Sequence, residues 1–208
     1  MMPSRSLEGG MKGLLAAVFV MIFLAAPLVA GADTPLATVQ MHVNSVLDVL
    51  RDPALKGESM KKRRQDRIRT ISEKMFDFAE LSKRTLAQSW NGFNDRQKKE
   101  FIELYKSVLE SAYIDKIMAY TDEKVVFQKE SALSDKTSEV RTVILTRKAD
   151  IPINYRVIRT DSGWRVYDVV VEGVSLVSNY RSQFREILTN KTPDDLLEVL
   201  RKKVGTKA

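Results

Sequence analysis

The chain has 208 residues, a formal net charge of +7 and no cysteine. The missing cysteines exclude a disulfide framework, a thiolate metal site, a cysteine nucleophile and a lipid-modified N-terminal cysteine.

The first predicted element is a cleavable export signal over residues 1–32. Arg5 and Lys12 precede an uncharged apolar run that ends in the small-residue triplet Ala-Gly-Ala at 30–32, which is a signal-peptide pattern. A transmembrane anchor is the competing interpretation, but a proline and small residues near the end of the run favour cleavage. Cleavage removes 32 of 208 residues and leaves 176 residues, 33–208, enough for one domain with a sizeable core.

The compartment follows from this signal. A chain exported without a lipid anchor is expected in a bacterial periplasm, as a soluble monomer. Nucleic acid is not an expected partner there, although the mature chain keeps a net charge of +6, since the signal carries two positive charges and one negative charge.

Four helices are predicted in the first part of the mature chain. Apolar residues recur at helical spacing over 39–50, 59–78, 79–90 and 94–120. The fourth helix begins at Asn94, which forms a capping-box pattern with Gln97. Its apolar stripe is unusually wide, which predicts burial on more than one side. The stripe comprises Phe101, Ile102, Leu104, Tyr105, Val108, Leu109, Ala112, Tyr113 and Ile117.

Strand-like segments follow at 124–130, 138–147, 151–160 and 164–173, joined by short turns. They predict a curved antiparallel sheet of four strands. Two helices then close the chain, the first capped by Ser175 and the second opened by Thr192 and Pro193. The order of elements predicts an α+β fold with helices packed on the sheet.

The last predicted strand is apolar on both alternating faces. One set is Tyr167, Val169 and Val171, and the other is Trp164, Val166 and Val170. Strands that cover one wall of a core alternate apolar and polar residues, so both faces of this strand need cover. The aromatic residues of the chain are core residues by default, but as a set they also fit a sheet that faces long helices across a space filled by an apolar ligand.

Reactive groups are sparse. His42 is the only histidine and is expected to be a surface residue on the first helix. Asp194 and Asp195 are explained by the positive end of a helix dipole rather than as an acid/base pair. No glycine-rich phosphate loop is present. We expect no enzyme activity, no metal site and no cofactor.

The densest basic run is "KKRRQDRIR", which starts at Lys61. The simpler interpretation is the solvated side of an amphipathic helix. The functional alternative is docking to an anionic membrane or an acidic partner through Lys61, Lys62, Arg63 and Arg64.

Two segments carry a family resemblance: "FDFAELSKRTLAQSWNGFNDRQKKEFIELYKSVLESAYIDKI" and "INYRVIRTDSGWRVYDVVVEGVSLVSNYRSQFREIL". They resemble the MlaC family, also called the toluene-tolerance family, of periplasmic phospholipid-binding proteins. The resemblance covers nearly all of the mature chain. It departs mildly at Ala87, where members often have glycine, and at Lys98, where arginine is usual.

The resemblance implies a nuclear-transport-factor-like fold with a deep apolar pocket for phospholipid tails. It implies a shuttle between an outer-membrane lipoprotein–porin complex and an inner-membrane ABC transporter with a substrate-binding ring. A hopanoid or other polycyclic lipid is the alternative cargo. The expected pocket residues are Phe76, Trp90, Phe101, Tyr105, Val108, Leu109, Ala112, Tyr113, Ile117, Val143, Leu145, Ile153, Tyr155, Val157, Tyr167, Val169, Val171, Val177, Tyr180 and Phe184.

Two other classes of protein compete with a lipid shuttle. A periplasmic enzyme with a small-molecule pocket is one, because a fold alone does not establish activity. A structural adaptor whose apolar surface binds another protein is the second. Lipid that co-purifies with the protein distinguishes the shuttle from the adaptor.

Overall fold

The structure, a computed structural model, describes residues 33–120 and 123–205. The predicted signal peptide, residues 1–32, lies outside the described residues. Four helices precede a sheet and two follow it. They are α1 (Pro35–Arg51), α2 (Lys61–Met75), α3 (Phe78–Leu86), α4 (Asp95–Met118), α5 (Leu176–Asn190) and α6 (Pro193–Gly205).

The sheet is an open antiparallel meander in the order β1-β2-β3-β4-β5. Its strands are β1 (Lys124–Ser134), β2 (Thr137–Leu145), β3 (Asp150–Thr160), β4 (Gly163–Val171) and β5 (Val174–Ser175). The predicted α+β arrangement is confirmed. The prediction of four strands is wrong by one, because the chain turns through positive φ at Glu172 and Gly173 and pairs once more with β4 before α5 begins.

The predicted helix caps are confirmed. Asn94 and Gln97 bind each other's backbone N–H groups at 2.9 Å in a capping box that starts α4. The Ser175 hydroxyl accepts from the Ser178 N–H at 3.0 Å. Thr192 and Asp195 cap α6 reciprocally. These contacts depend on residues three apart, which is why the sequence reveals them.

The predicted second helix, 59–78, is wrong in its last turn. The chain leaves α2 at Phe76, and the Asp77 N–H donates to the Val166 carbonyl of β4 at 2.9 Å. The Asp77 side chain then accepts from the Glu80 N–H and starts α3. A third helix predicted to residue 90 is also interrupted, because Ala87 has φ 50° and a 3-10 turn follows.

β4 does not keep a strict alternation of faces. Its pairing with β3 skips one residue, Tyr167, between Val166 and Asp168. A bulge of this kind puts an extra residue on one strand and shifts the alternation beyond it. Trp164 and Val166 therefore pack in the same cluster as Val169, and the two separate apolar sets predicted for this strand are wrong.

The first strand, β1, forms an open edge of the sheet. Its pairing with β2 is shifted twice, so Gln128 and Leu133 have no partner in the register. The Leu133 side chain is 51% exposed. The edge is therefore irregular along most of its length.

Three apolar clusters hold the described residues together, and the smallest joins α1 and α2 to the end of α4. A helical cluster joins α3, α4, α5 and α6, and a sheet cluster joins α1 and the end of α2 to β2, β3 and β4. Phe76 packs against both. No helix in residues 33–120 or 123–205 combines the length and hydropathy needed to cross a membrane.

Candidate functional site

The site forms on one face of the sheet, called here the inner face. Val140 of β2 pairs with Tyr155 of β3, and Tyr155 pairs with Val169 of β4. Directly paired residues point to the same side of a sheet, and these three belong to the sheet cluster with Val39 of α1. α1 therefore covers this face.

Polar contacts fix α1 across the inner face. The Leu36 N–H donates to the Glu130 carboxylate of β1 at 2.7 Å. On β4, toward the opposite edge of the sheet, the Trp164 indole N–H donates to the Asp33 carbonyl at 3.0 Å. Arg159 pairs with the Asp33 carboxylate at 2.9 Å. Contacts toward both edges of the sheet thus hold the start of α1 in place.

The inner face is only partly buried. Val140 and Val157 are fully buried, but neighbouring apolar residues on the same face remain half-buried. We call this half-buried set the inner cleft. It comprises Val43, Phe127, Ile153, Tyr155, Val171 and Leu176.

Three cleft residues lie in one row across the sheet. Phe127 and Ile153 both pair with Thr142, and Ile153 also pairs with Val171. The Thr142 hydroxyl donates to the Ile153 carbonyl at 2.7 Å, so its polar atom is used within the sheet. The row therefore presents an apolar wall.

Tyr155 is the one cleft residue with a polar side-chain atom. Desolvation by burial raises the pKa of its phenol to about 12. The side chain is nevertheless half-buried rather than sealed. The Tyr155 ring therefore lies at the border between the packed residues and the accessible part of the inner face.

Charged side chains gather on the opposite, outer face. Glu139 pairs with Arg141 at 3.2 Å and with Arg156 at 3.4 Å, and Arg156 reaches Asp168 at 3.2 Å. This ladder crosses β2, β3 and β4. The middle of the inner face, opposite the ladder, is apolar, as expected of a binding site for hydrocarbon.

Asp168 also fixes the start of α5. The side chain is 2% exposed. It accepts hydrogen bonds from the Ser175 hydroxyl at 2.7 Å and from the Val177 N–H at 3.1 Å. α5 therefore covers the outer face of β4, and the buried Asp168 carboxylate anchors the start of this helix.

The predicted pocket residues do not all meet in one place. Ile153, Tyr155, Val157, Val169 and Val171 lie on the inner face, and Phe76 borders both clusters. A second group is buried in the helical cluster. This group comprises Phe101, Tyr105, Val108, Leu109, Val177, Tyr180 and Phe184.

The rings of the helical cluster pack against one another. Tyr105 lies 5.2 Å from Tyr180 and 5.3 Å from Phe184 between ring centroids, both edge to face. Such packing fills a core. The burial of Tyr105 raises its pKa, and its hydroxyl accepts from the Thr85 hydroxyl at 3.4 Å.

Other predicted residues lie at the border of these groups or away from them. Trp90 and Tyr113 pack against the helical cluster, and Ala112 is half-buried on α4. Ile117 is 36% exposed at the end of α4. Val143 and Leu145 are on the outer face, because they alternate with Val140 and Thr142 along β2. The Tyr167 ring lies under the Arg84 guanidinium at 3.9 Å.

Sequence reasoning missed three cleft residues, Val43, Phe127 and Leu176. They belong to α1, β1 and α5, and the sequence offers no signal that these elements meet. Their apolar character at helix or strand spacing was the only indication of burial.

The four predicted docking residues of the basic run differ in exposure and in partners. Lys61 lies 3.6 Å from Glu58, and Arg64 donates to the Leu55 carbonyl at 3.1 Å. Lys62 and Arg63 are exposed and form no ion pair within the described residues. Of the four predicted docking residues, only these two are exposed and without an ion pair among the described residues.

A separate polar groove of about 480 Å³ lies beside Phe76 and Phe78. Lys106 in this groove pairs with Glu73, and Arg165 donates to the Glu73 and Phe76 carbonyls at 2.7 Å. The groove's cations are therefore already occupied by the protein.

His42 is half-buried rather than on the surface, so that prediction is wrong. Its pKa is lowered by burial and by the nearby charges of Arg165 and Lys74. These two charges place the side chain near α2 and β4.

The fold and the inner cleft define a class of protein: an α+β protein with an apolar site suited to a water-insoluble ligand. The family profile described as MlaC protein matches residues 40–202. The chain belongs to the MlaC family. A solved structure of a phospholipid-binding protein from Ralstonia solanacearum, determined with a bound phospholipid, has the same fold, with a TM-score of 0.72 at 22% sequence identity. The match covers 82% of this chain and 96% of that chain.

Proposed function

We propose that this protein binds a phospholipid in the inner cleft and carries it between membranes. The observation that carries the proposal is the half-buried apolar row across the sheet at Phe127, Ile153 and Val171. Membership of the MlaC family and the phospholipid bound to the Ralstonia protein support it.

Elementary energetics favour a carrier. Two acyl chains contain on the order of 30 methylenes, and at about 0.8 kcal/mol each their exposure to water costs more than about 20 kcal/mol. A cleft about as apolar as a bilayer makes transfer nearly neutral. Direction then comes from the partners, and any ATP is used by a transporter.

The proposed pathway follows the family. The signal peptide, residues 1–32, exports the chain to the periplasm, where it acts as a monomer. It exchanges lipid with an outer-membrane lipoprotein–porin complex and with an inner-membrane ABC transporter that has a substrate-binding ring. Lys62 and Arg63, the free part of the basic run, guide docking.

Native mass spectrometry of the purified protein tests the proposal. We expect a protein ion with an added mass equal to a phospholipid, which fragmentation releases. A polycyclic lipid of the hopanoid class would replace the proposed cargo. An empty protein from a host rich in phospholipid would contradict the proposal.

A pair of charged substitutions tests the location of the cargo. Ile153→Asp places a carboxylate in the cleft, where an unpaired charge costs several kcal/mol against hydrocarbon, so lipid should be lost. Val143→Asp is the matched control, because Val143 is also half-buried but lies on the outer face of the neighbouring strand. Equal lipid recovery from both folded variants would place the cargo elsewhere.

A further inference from the structure

We propose that the Tyr155 hydroxyl donates a hydrogen bond to an ester carbonyl oxygen of the bound phospholipid and thereby selects ester-linked lipids. The inference rests on the proposed function and adds a residue that recognises a chemical group of the cargo. It starts from the position of Tyr155 in the middle of β3, on the inner face.

Tyr155 has close neighbours but no polar partner. It pairs with Val140, which is fully buried, and with Val169, which is 8% exposed. Its hydroxyl makes no hydrogen bond within the part of the chain that the structure describes. The hydroxyls of Tyr105 and Tyr120 have partners there, whereas those of Tyr113, Tyr167 and Tyr180 also lack one, but of the four tyrosines without a partner only Tyr155 lies on the inner face.

A tyrosine hydroxyl that an apolar ligand covers loses its contact with water and needs another hydrogen-bond partner, because an unmet donor costs free energy. The Tyr155 side chain is half-buried and belongs to the inner cleft. A ligand in the cleft is therefore placed to supply the missing acceptor. Since burial raises the pKa of this phenol to about 12, the hydroxyl keeps its proton and acts as a donor at neutral pH.

The charges around the cleft indicate which oxygen of a phospholipid accepts the hydrogen bond from Tyr155. Glu130 is the inner-face charge in the same row, two strands from Tyr155, or about 10 Å. It is negative and accepts from the Leu36 N–H. Arg159, four residues along β3, is paired with Asp33 at 2.9 Å. A phosphate beside Tyr155 would thus be buried without a free cation, which is costly.

The tails of a phospholipid carry no acceptor, so the neutral ester carbonyl fits best. An ether-linked lipid has the same head group and chains but lacks this oxygen. The comparison of the two lipids isolates the proposed contact.

The experiment is a competition between dioleoyl phosphatidylglycerol and its dialkyl ether analogue, read by native mass spectrometry on delipidated protein. One neutral hydrogen bond corresponds to a preference of about three- to tenfold for the ester lipid. Tyr155→Phe should bind both lipids equally and keep its affinity for the ether lipid.

Tyr120→Phe is the control, because Tyr120 is another half-buried phenol but lies outside the cleft and already donates to the Glu123 carbonyl at 2.6 Å. It should keep the wild-type preference. Equal binding of both lipids by the wild type, or a preference that survives in Tyr155→Phe, would overturn the inference while leaving lipid binding intact. Failure to bind either lipid would instead overturn the proposed function, on which the inference depends.

Discussion

Ala87 stores strain at a single residue. It ends α3 with φ 50° and ψ −123°, a region that glycine enters readily and other residues do not. The family resemblance places glycine at this position in many members. The structure supplies the physical reason, because the chain must turn here from α3 into the 3-10 segment that carries Trp90.

Ala87→Gly should therefore stabilise the protein, by about 0.5–1 kcal/mol after the greater flexibility of the unfolded chain is subtracted. The measurement is the free energy of unfolding in urea. Ala79→Gly, in α3 where the backbone is helical, should destabilise by a similar amount. A loss of stability in both variants would show that the strain at Ala87 is negligible.

The raised pKa of Tyr155 also predicts how the stability of the protein depends on pH. Its pKa is raised to about 12 by burial, whereas an unfolded tyrosine titrates near 10. A raised pKa means that folding favours the neutral phenol, so this contribution to stability is present below about pH 10 and is lost as pH rises toward 12.

The measurement is the ultraviolet absorbance of phenolate, taken as the difference between wild type and Tyr155→Phe. This difference should titrate near pH 12. The urea midpoint of the wild type should fall more steeply than that of the variant between pH 10 and 12. A difference spectrum centred near 10 would mean that the phenol is open to water, against its place in the cleft.

At the scale of elements, α5 depends on one buried carboxylate. Asp168 binds the Val177 N–H and the Ser175 hydroxyl at the helix start and Arg156 within the sheet. Asp168→Asn keeps the shape of the side chain but removes the buried charge that pairs with Arg156, which then keeps only Glu139 at 3.4 Å. We expect a loss of about 3 kcal/mol in the free energy of unfolding.

Asp161→Asn is the control for this change, because Asp161 is exposed in the β3–β4 turn. Its effect should stay within about 0.5 kcal/mol. Urea denaturation followed by circular dichroism measures both. A loss below about 1 kcal/mol for Asp168→Asn would show that apolar packing alone holds α5 in place.

The elements differ in how far the sequence predicts them. Caps such as Asn94 with Gln97 were predictable, because both partners lie within one helical turn. The break at Phe76 was not, since it depends on a hydrogen bond to Val166, which lies far along the chain. The bulge at Tyr167 was missed for a related reason: it is defined by pairing with β3, and the periodicity of one strand cannot reveal it.

The same limit applies to the site. A set of apolar and aromatic residues was enough to predict a space between helices and sheet. It did not separate Tyr105, which is fully buried among rings, from Ile153, which is half-buried on the inner face. Both are apolar at the correct spacing, and only the tertiary arrangement distinguishes core from cleft.

At the scale of the whole molecule, surface charge should act on transfer rather than on retention. Lys62→Gln with Arg63→Gln removes the two exposed, unpaired charges of the basic run and leaves Arg64 bound to Leu55. Bound lipid should be unchanged, because apolar burial holds it. Transfer to vesicles rich in phosphatidylglycerol should slow.

The wild-type transfer rate should also fall with salt, since exposed charges are screened over about 8 Å at physiological ionic strength. Lys83→Gln with Lys99→Gln is the matched control, with the same loss of charge at exposed positions on α3 and α4. Transfer rates that are equal in all three proteins and independent of salt would reduce the run to a solvated helix face.

The irregular edge at β1 affects whether copies of the protein aggregate. An open edge strand exposes N–H and C=O groups that can pair with another chain and begin aggregation. The unpaired residues Gln128 and Leu133, together with the charge of Lys129 between them, interrupt the straight row that such pairing needs. The open sheet is thereby kept from joining its neighbours into a fibre.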